Sequence, residues 1–185
     1  MSGYSSSVTD PRPLRGEPLP LDLANTRWNE RGAPRDLLDS LDGLDIWLRA
    51  TGLAGTVAAT RPALEALHQA RAAVHALLAG EPGGRELLND VLRHGRVRRE
   101  LGPDGPVDVP ETGDAAWYAA WLAADGYLRL LERAPDRIKA CAHPGCVLHF
   151  FDTSKNGTRR WCSMAGCGNR SKASRHYARR RRTAN

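Results

Sequence analysis

Four cysteines, Cys141, Cys146, Cys162 and Cys167, carry the plainest chemistry in this chain. They form two C-x4-C pairs with fifteen residues between them. Thiolates are soft ligands, and four of them satisfy the tetrahedral preference of zinc at about 2.3 Å. Each local pair closes only a short loop, so the chain entropy lost on assembly is small. Pro144-Gly145 supplies a tight turn inside the first pair, and Gly166 and Gly168 relax the backbone around the second. The spacing predicts one structural Zn2+ bound by the four cysteines. His143, inside the first pair, is the alternative donor in place of one cysteine. Four thiolates leave no open coordination position, so a catalytic metal is not expected.

The elements around the cysteines follow from their sequence. "VLHFFDTSKNGTRRW" alternates as a strand, turns at Asn156-Gly157 and alternates again, which predicts a β-hairpin between the pairs. Of Phe150 and Phe151, one faces the small core of this module and the other is free to meet the rest of the chain. A basic helix is expected from about Ser163 or Asn169 to Arg181, with Ser163 as candidate N-cap. Lys172, Arg175, Arg179 and Arg182 recur along one face of it, opposite Ala173 and Tyr177 on the packed side. Knuckle, β-hairpin, second pair and basic helix, in that order, follow the plan of a treble-clef-like zinc finger. Arg suits guanine and Asn suits adenine in a major groove, so Asn169 and Arg170 are candidates for base contact. Lys172, Arg175, Arg179 and the Arg159–Arg160 pair are candidates for phosphate. Trp161 is expected to pack over the metal site rather than to stack on a base.

Charge sets this module apart. The formal net charge is +6, yet residues 141–185 hold ten Lys and Arg against Asp152 alone, or +9. The remaining 17 basic and 20 acidic residues give residues 1–140 a charge of −3. One end of the chain is therefore suited to an anionic partner. A content of 41% hydrophobic and 26% charged residues is that of a soluble globular protein. No apolar run approaches the roughly 20 residues that span a bilayer, so no membrane partner is expected. "MSGYSSSVTDPRPLRGEPLP" lacks the apolar core of a secretory signal, which points to the cytoplasm. Thiols stay reduced there, which favours metal over disulfides.

The preceding part reads as mainly α-helical, with residues 1–18 a disordered Ser/Pro/Gly-rich N-terminus, 19–136 a helical domain and 137–185 the finger. Leu19, Leu21 and Leu23 alternate, as in a short strand or the start of a helix. Residues 36–50 predict a helix burying Leu37, Leu41, Leu44 and Leu48, capped by Asp36 and stopped near Gly52. A helix over 61–79 has Pro62 in its first turn, Gly80 at its end and Leu64, Leu67, Ala70, Val74 and Leu77 inside. "GRELLNDVLRHG" adds a shorter helix burying Leu87, Leu88, Val91 and Leu92. "RVRRELGPDGPVDVP" predicts a small β-hairpin turning at Pro103-Asp104-Gly105. The last helix aligns Trp117, Trp121, Ala124, Leu128 and Leu131, with Asp114 or Thr112 as cap. His68 and His75 share a face and read as surface or boundary residues.

"CGNRSKASRHYARRR", preceded by "DTSKNGTRRWCSMAG", closely resembles the CGNR zinc finger of bacterial proteins, whose name is spelled here by Cys167, Gly168, Asn169 and Arg170. The region before it is similar to the ABATE domain, and "LDLANTR", Leu21 to Arg27, resembles that domain's opening motif. Pro20 departs from the motif, since an apolar residue is expected there. The resemblance implies a stress-induced transcription regulator, with DNA binding by the finger and ligand sensing by the ABATE part.

Residues 1–140 contain no phosphate-binding glycine loop, no paired histidines on a helix and no nucleophile elbow, so an enzyme is not expected. Asn25, Thr26, Trp28, Trp117 and Trp121 are candidates for lining a small-molecule site, although capping and core roles account for them more simply. The favoured expectation is a DNA-binding transcriptional regulator. One small finger reads few bases, so a homodimer through the helical domain is the natural arrangement. The alternative is a zinc-stapled RNA- or protein-binding module without DNA sequence readout.

Overall fold

The structure, a computed structural model, describes residues 9–173. The expected run of the basic helix to Arg181, with Arg175, Tyr177, Arg179 and Arg182, lies outside the described residues, as do residues 1–8. The elements in chain order are α1 (Leu19–Ala24), β1 (Arg27–Glu30), β2 (Ala33–Asp36), α2 (Leu41–Ala50), α3 (Arg61–Ala79) and α4 (Gly84–Leu92). Then come β3 (Gly95–Gly102), β4 (Gly105–Thr112), α5 (Tyr118–Arg133), β5 (Ile138–Ala140) and β6 (His149–Phe151). The strands pair as three separate antiparallel hairpins, β1–β2, β3–β4 and β5–β6.

The centre of the fold is α3 packed on α5, with α1, α2 and α4 around them. α3 starts where the Thr60 hydroxyl accepts from the Ala63 amide (3.4 Å), and it ends at Gly80, whose φ of 68° suits a residue without Cβ. Its buried alanines, Ala63, Ala66, Ala70 and Ala73, share the core with Ala119, Ala120, Ala123 and Ala124 of α5. Small side chains on both helices let the backbones approach closely. The inward face of α5 also holds Trp121, Tyr127 and Leu130, while Leu131 is exposed. The expected stripe was one residue out of phase at its end. Leu87 on α4 is exposed as well, because α4 meets α3 through Gly84, Leu88 and Val91.

Residues 36–50 do not form one helix. Asp36 caps a single 3-10 turn, Leu37–Asp39, and the Ser40 hydroxyl then caps α2 by accepting from the Gly43 amide (3.1 Å). A Cβ on Gly43 would stand 1.6 Å from the Leu37 carbonyl oxygen, so this break requires glycine. Leu41 turns outward as a result.

The LDLANTR segment is helical through Ala24, and its polar side chains are joints. The buried Asp22 carboxylate accepts from Arg12 (2.5 Å), the Trp47 indole (3.0 Å) and the Gly16 amide (3.0 Å). That contact holds the segment around residues 10–17, expected to be unstructured, against the helices. Pro20 is buried at the start of α1, and a Cβ on Gly126 would meet its ring at 3.2 Å. The Thr26 hydroxyl donates to the Leu23 carbonyl (2.6 Å) and accepts from Arg71 (2.8 Å), whose guanidinium also clamps Asp36. Asn25 reaches furthest. Its amide NH2 donates to the His149 carbonyl (2.8 Å) and its oxygen accepts from the His149 amide (2.9 Å), so one side chain pairs with β6 as a strand would. His75 binds the Ala24 carbonyl beside it (3.0 Å), and His68 binds that of Leu38 (2.7 Å), at the boundary positions expected of both.

The hydrophobic core runs without a break from Leu23, Trp47 and Leu67 to Cys141, Leu148, Phe150, Cys162 and Cys167. Phe151, on the other face of β6, packs with Leu21 and Leu130. No helix among the described residues is long and apolar enough to cross a membrane.

Replacing Asn25 with Ala is expected to leave the His149 backbone groups unpaired and to cost about 2–4 kcal/mol, read as a lower denaturation midpoint. Burial alone would raise the Asp36 pKa, but bonds from Arg71 and Arg27 hold it below the usual value. Its contribution is therefore fully present above about pH 4 and is lost as pH falls through the lower folded value. Asp36→Asn should flatten the acid side of the stability–pH curve, as measured by denaturant titration at successive pH values.

Candidate metal centre

The four cysteine sulfurs lie within 4.8 Å of one another. Sγ of Cys162 is 3.9 Å from that of Cys146 and 3.6 Å from that of Cys167. Four sulfurs at about 2.3 Å from a common zinc ion would be about 3.8 Å apart, so the cluster has the size of a tetrahedral Zn–S4 site. His143 stands outside the group, and its buried Nδ1 has no hydrogen-bond partner. The sulfur chemistry argues the same way. The Cys146 thiol is drawn down to about 5, chiefly by its hydrogen bond with Cys162, while that partnership and burial push the Cys162 thiol up. One thiolate forms readily, but four this close require a divalent cation. The site therefore fits one structural Zn2+, with all four positions filled by protein.

Each cysteine is placed by local backbone chemistry. β5 and β6 bracket the first pair, and the Cys141 amide donates to the Leu148 carbonyl across them (2.9 Å). The knuckle between them closes with the Cys146 amide on the His143 carbonyl (3.0 Å), and Gly145 takes a φ of 76°. Of the second pair, Cys167 sits on one wide helical turn, Met164–Gly168, and Cys162 stands just before its cap, where the Ser163 hydroxyl accepts from the Gly166 amide (3.2 Å). Residues 169–173 continue as helix. Donors address three of the sulfurs: the Cys162 amide on Cys141 Sγ (3.4 Å), the Arg170 guanidinium on Cys167 Sγ (3.1 Å) and the Leu148 amide on Cys146.

The hairpin expected between the cysteine pairs is not formed. β6 pairs backward with β5, and the chain after the Asn156–Gly157 turn makes no ladder with it. The buried Asp152 carboxylate takes the place of a partner strand. It accepts from Lys139 Nζ (2.8 Å), the Ser154 hydroxyl (2.6 Å) and amide (2.9 Å), and the Arg159 amide (3.0 Å). Burial alone would raise its pKa, yet these donors hold it well below the usual carboxylate range. A β-ladder needs a facing strand; a carboxylate gathering four donors folds the same residues without one.

The candidate nucleic-acid residues divide by exposure. Asn169, Lys172 and Arg160 are exposed, although the Asn169 amide also reaches the Ala165 carbonyl (3.4 Å). Ala173, expected on a packed side, is exposed too. Arg159 turns inward. Its guanidinium lies over the Phe150 ring (4.2 Å) and donates to the carbonyls of Trp161 (3.0 Å) and Cys162 (2.5 Å). Trp161 packs, half-buried, against the core beside the cysteines.

The candidate ligand residues are scattered. Trp28 lines a cleft of about 660 Å³ between β1–β2 and the finger. Trp117, stacked on His94 at 3.4 Å, lines another of about 1060 Å³ beside β3–β4. Asn25, Thr26 and Trp121 line neither, and the Trp121 indole donates to the Leu92 carbonyl (3.0 Å). Glu17 and Asn29 are joints that sequence reading missed. Glu17 accepts from the Phe151 amide (2.8 Å), and the Asn29 side chain donates to the Gly145 carbonyl (2.8 Å). Neither stands in a recognisable pattern.

Because the metal site belongs to the common core, Cys162→Ser is expected to do more than release zinc. Metal content should fall from one ion per chain towards none, and the near-ultraviolet circular dichroism of Trp28 and Trp47 should weaken with it. Asp152→Asn should lower the melting temperature while leaving one zinc bound.

Residues 17–134 match the ABATE family, described as "Putative stress-induced transcription regulator", and residues 137–180 match the CGNR zinc finger. Neither is a family of enzymes. No curated protein matches the chain. The ABATE match covers more than half of the sequence and the finger match follows it directly, so the chain belongs to the ABATE family and carries a CGNR zinc finger at its C-terminal end.

Proposed function

We propose that this chain is a DNA-binding transcriptional regulator whose zinc-stabilised finger contacts duplex DNA. The observation that carries this reading is the placement of Asn169, Arg170 and Lys172 on the helical turn that follows Cys167, directly beside the metal site. The zinc fixes where a cationic segment begins, and residues 141–185 have a net charge of +9 to offer a polyanion. Asn169 is the candidate for a base edge. Arg170 keeps guanidinium N–H groups beyond the one on Cys167 Sγ, so it can join the metal site to a base or phosphate. Arg160 and Lys172 serve phosphates, together with Arg175 and Arg179. Arg159, occupied by internal bonds, serves by holding the loop that carries Arg160. The helical domain supplies ligand sensing or the contact of a homodimer, and the protein works in the cytoplasm.

Selection from random duplex DNA with the zinc-loaded full chain at near-physiological salt tests the reading. One enriched motif, lost in Asn169→Ala, is the expected result. Lys172→Gln should weaken binding to all sequences and lower the slope of log K against log salt by about 0.9. Binding without any sequence preference, or tighter binding to RNA than to duplex DNA, would overturn it in favour of an RNA- or protein-binding module.

A further inference from the structure

We propose that the β1–β2 hairpin of the helical domain is a second contact for the duplex bound by the finger, with Arg31 at its tip holding a phosphate. This rests on the DNA-binding reading above.

The hairpin is narrow and its register is closed. Glu30 faces Ala33 across a two-residue loop, Arg31-Gly32, with φ of 51° and 86°. Two positive φ values in a two-residue hairpin loop favour Asn or Gly at the first position, because a Cβ crowds the backbone there. Arg31 is the one non-glycine residue with positive φ among the described residues. A bulky side chain kept in an unfavourable backbone region points to a use for that side chain.

The surroundings indicate the use. Arg27 and Arg35 of the same hairpin are neutralised by Asp36 (2.9 Å) and Glu30 (3.1 Å). Arg31 is exposed, and its guanidinium has no ion pair or hydrogen bond among the described residues. The hairpin is also fastened to the finger, since the Asn29 side chain donates to the Gly145 carbonyl in the knuckle (2.8 Å). Arg31 and Gly32 form one wall of the cleft whose opposite wall carries Ala165, Gly166 and Arg170. An unpaired cation thus stands on a rigid ribbon, across one cleft from the start of the basic helix. Duplex DNA carries a phosphate charge about every 1.7 Å of its axis, and a surface presenting cations on two elements matches it better than one helix does.

The test is a salt titration of duplex binding by the zinc-loaded full chain and two variants. Arg31→Asn suits the turn and removes the charge, while Arg31→Lys keeps it. The expected result for Arg31→Asn is binding about five- to tenfold weaker at 0.1 M salt and a slope of log K against log salt smaller by about 0.9, with an equal or higher melting temperature. Arg31→Lys should retain the slope. Wild-type slope in Arg31→Asn would overturn the hairpin contact and leave the finger reading standing. Absence of duplex binding by the wild-type chain would overturn both.

Discussion

A buried asparagine amide that imitates a strand joins the two halves of this protein. Asn25 gives and takes one hydrogen bond with the backbone of His149, and burial makes the loss of either costly. The side chain is presented at the C-cap of a helix of one and a half turns, and the neighbouring polar residues are tied to different elements: Asp22 to Arg12 and Trp47, Thr26 to Arg71. Thus the entry of the finger, the N-terminal strap and the first hairpin all take their positions from one seven-residue segment. With those bonds made, Phe150 and the cysteines can close onto the same apolar core as α3 and α5. A metal knot hung on a flexible tether would need none of this.

The cysteine cluster has an electrostatic problem that its neighbours resolve. Four thiolates around one Zn2+ leave two negative charges in excess. The Cys162 amide and the Arg170 guanidinium donate to two of the sulfurs, and the basic segment continues from that point. Positive charge at the start of the helix therefore serves the metal site. Asp152 works in the opposite sense nearby, where a buried carboxylate organises the loop in place of a second strand.

Among the clefts of the helical domain, one lies beside β3–β4 and one against the finger. The second is the more informative, because its two walls come from different parts of the chain. Whatever changes the distance between β1–β2 and the Met164–Gly168 turn changes the spacing of Arg31 and Arg170 across that cleft.

The sequence by itself determined much of what depends on local spacing. The cysteine pairs named the metal, Pro62 and Gly80 bounded α3, and Pro103-Asp104-Gly105 turned β3 into β4, because helix boundaries, turn conformation and ligand spacing are short-range properties of the chain. Charge separation between the two parts was equally legible, being a matter of counting. Tertiary structure decided the rest. The 36–50 helix breaks at Ser40, where Gly43 passes the Leu37 carbonyl, and the stripe on α5 shifts to Leu130 because Leu21 of α1 and Phe151 of β6 meet it there. The hairpin after Cys146 gives way to a carboxylate network, since β6 finds its partner in β5. Asn25, Glu17 and Asn29 looked like ordinary polar residues because their partners are more than a hundred residues away, and the value of a buried hydrogen bond lies wholly in the group that meets it.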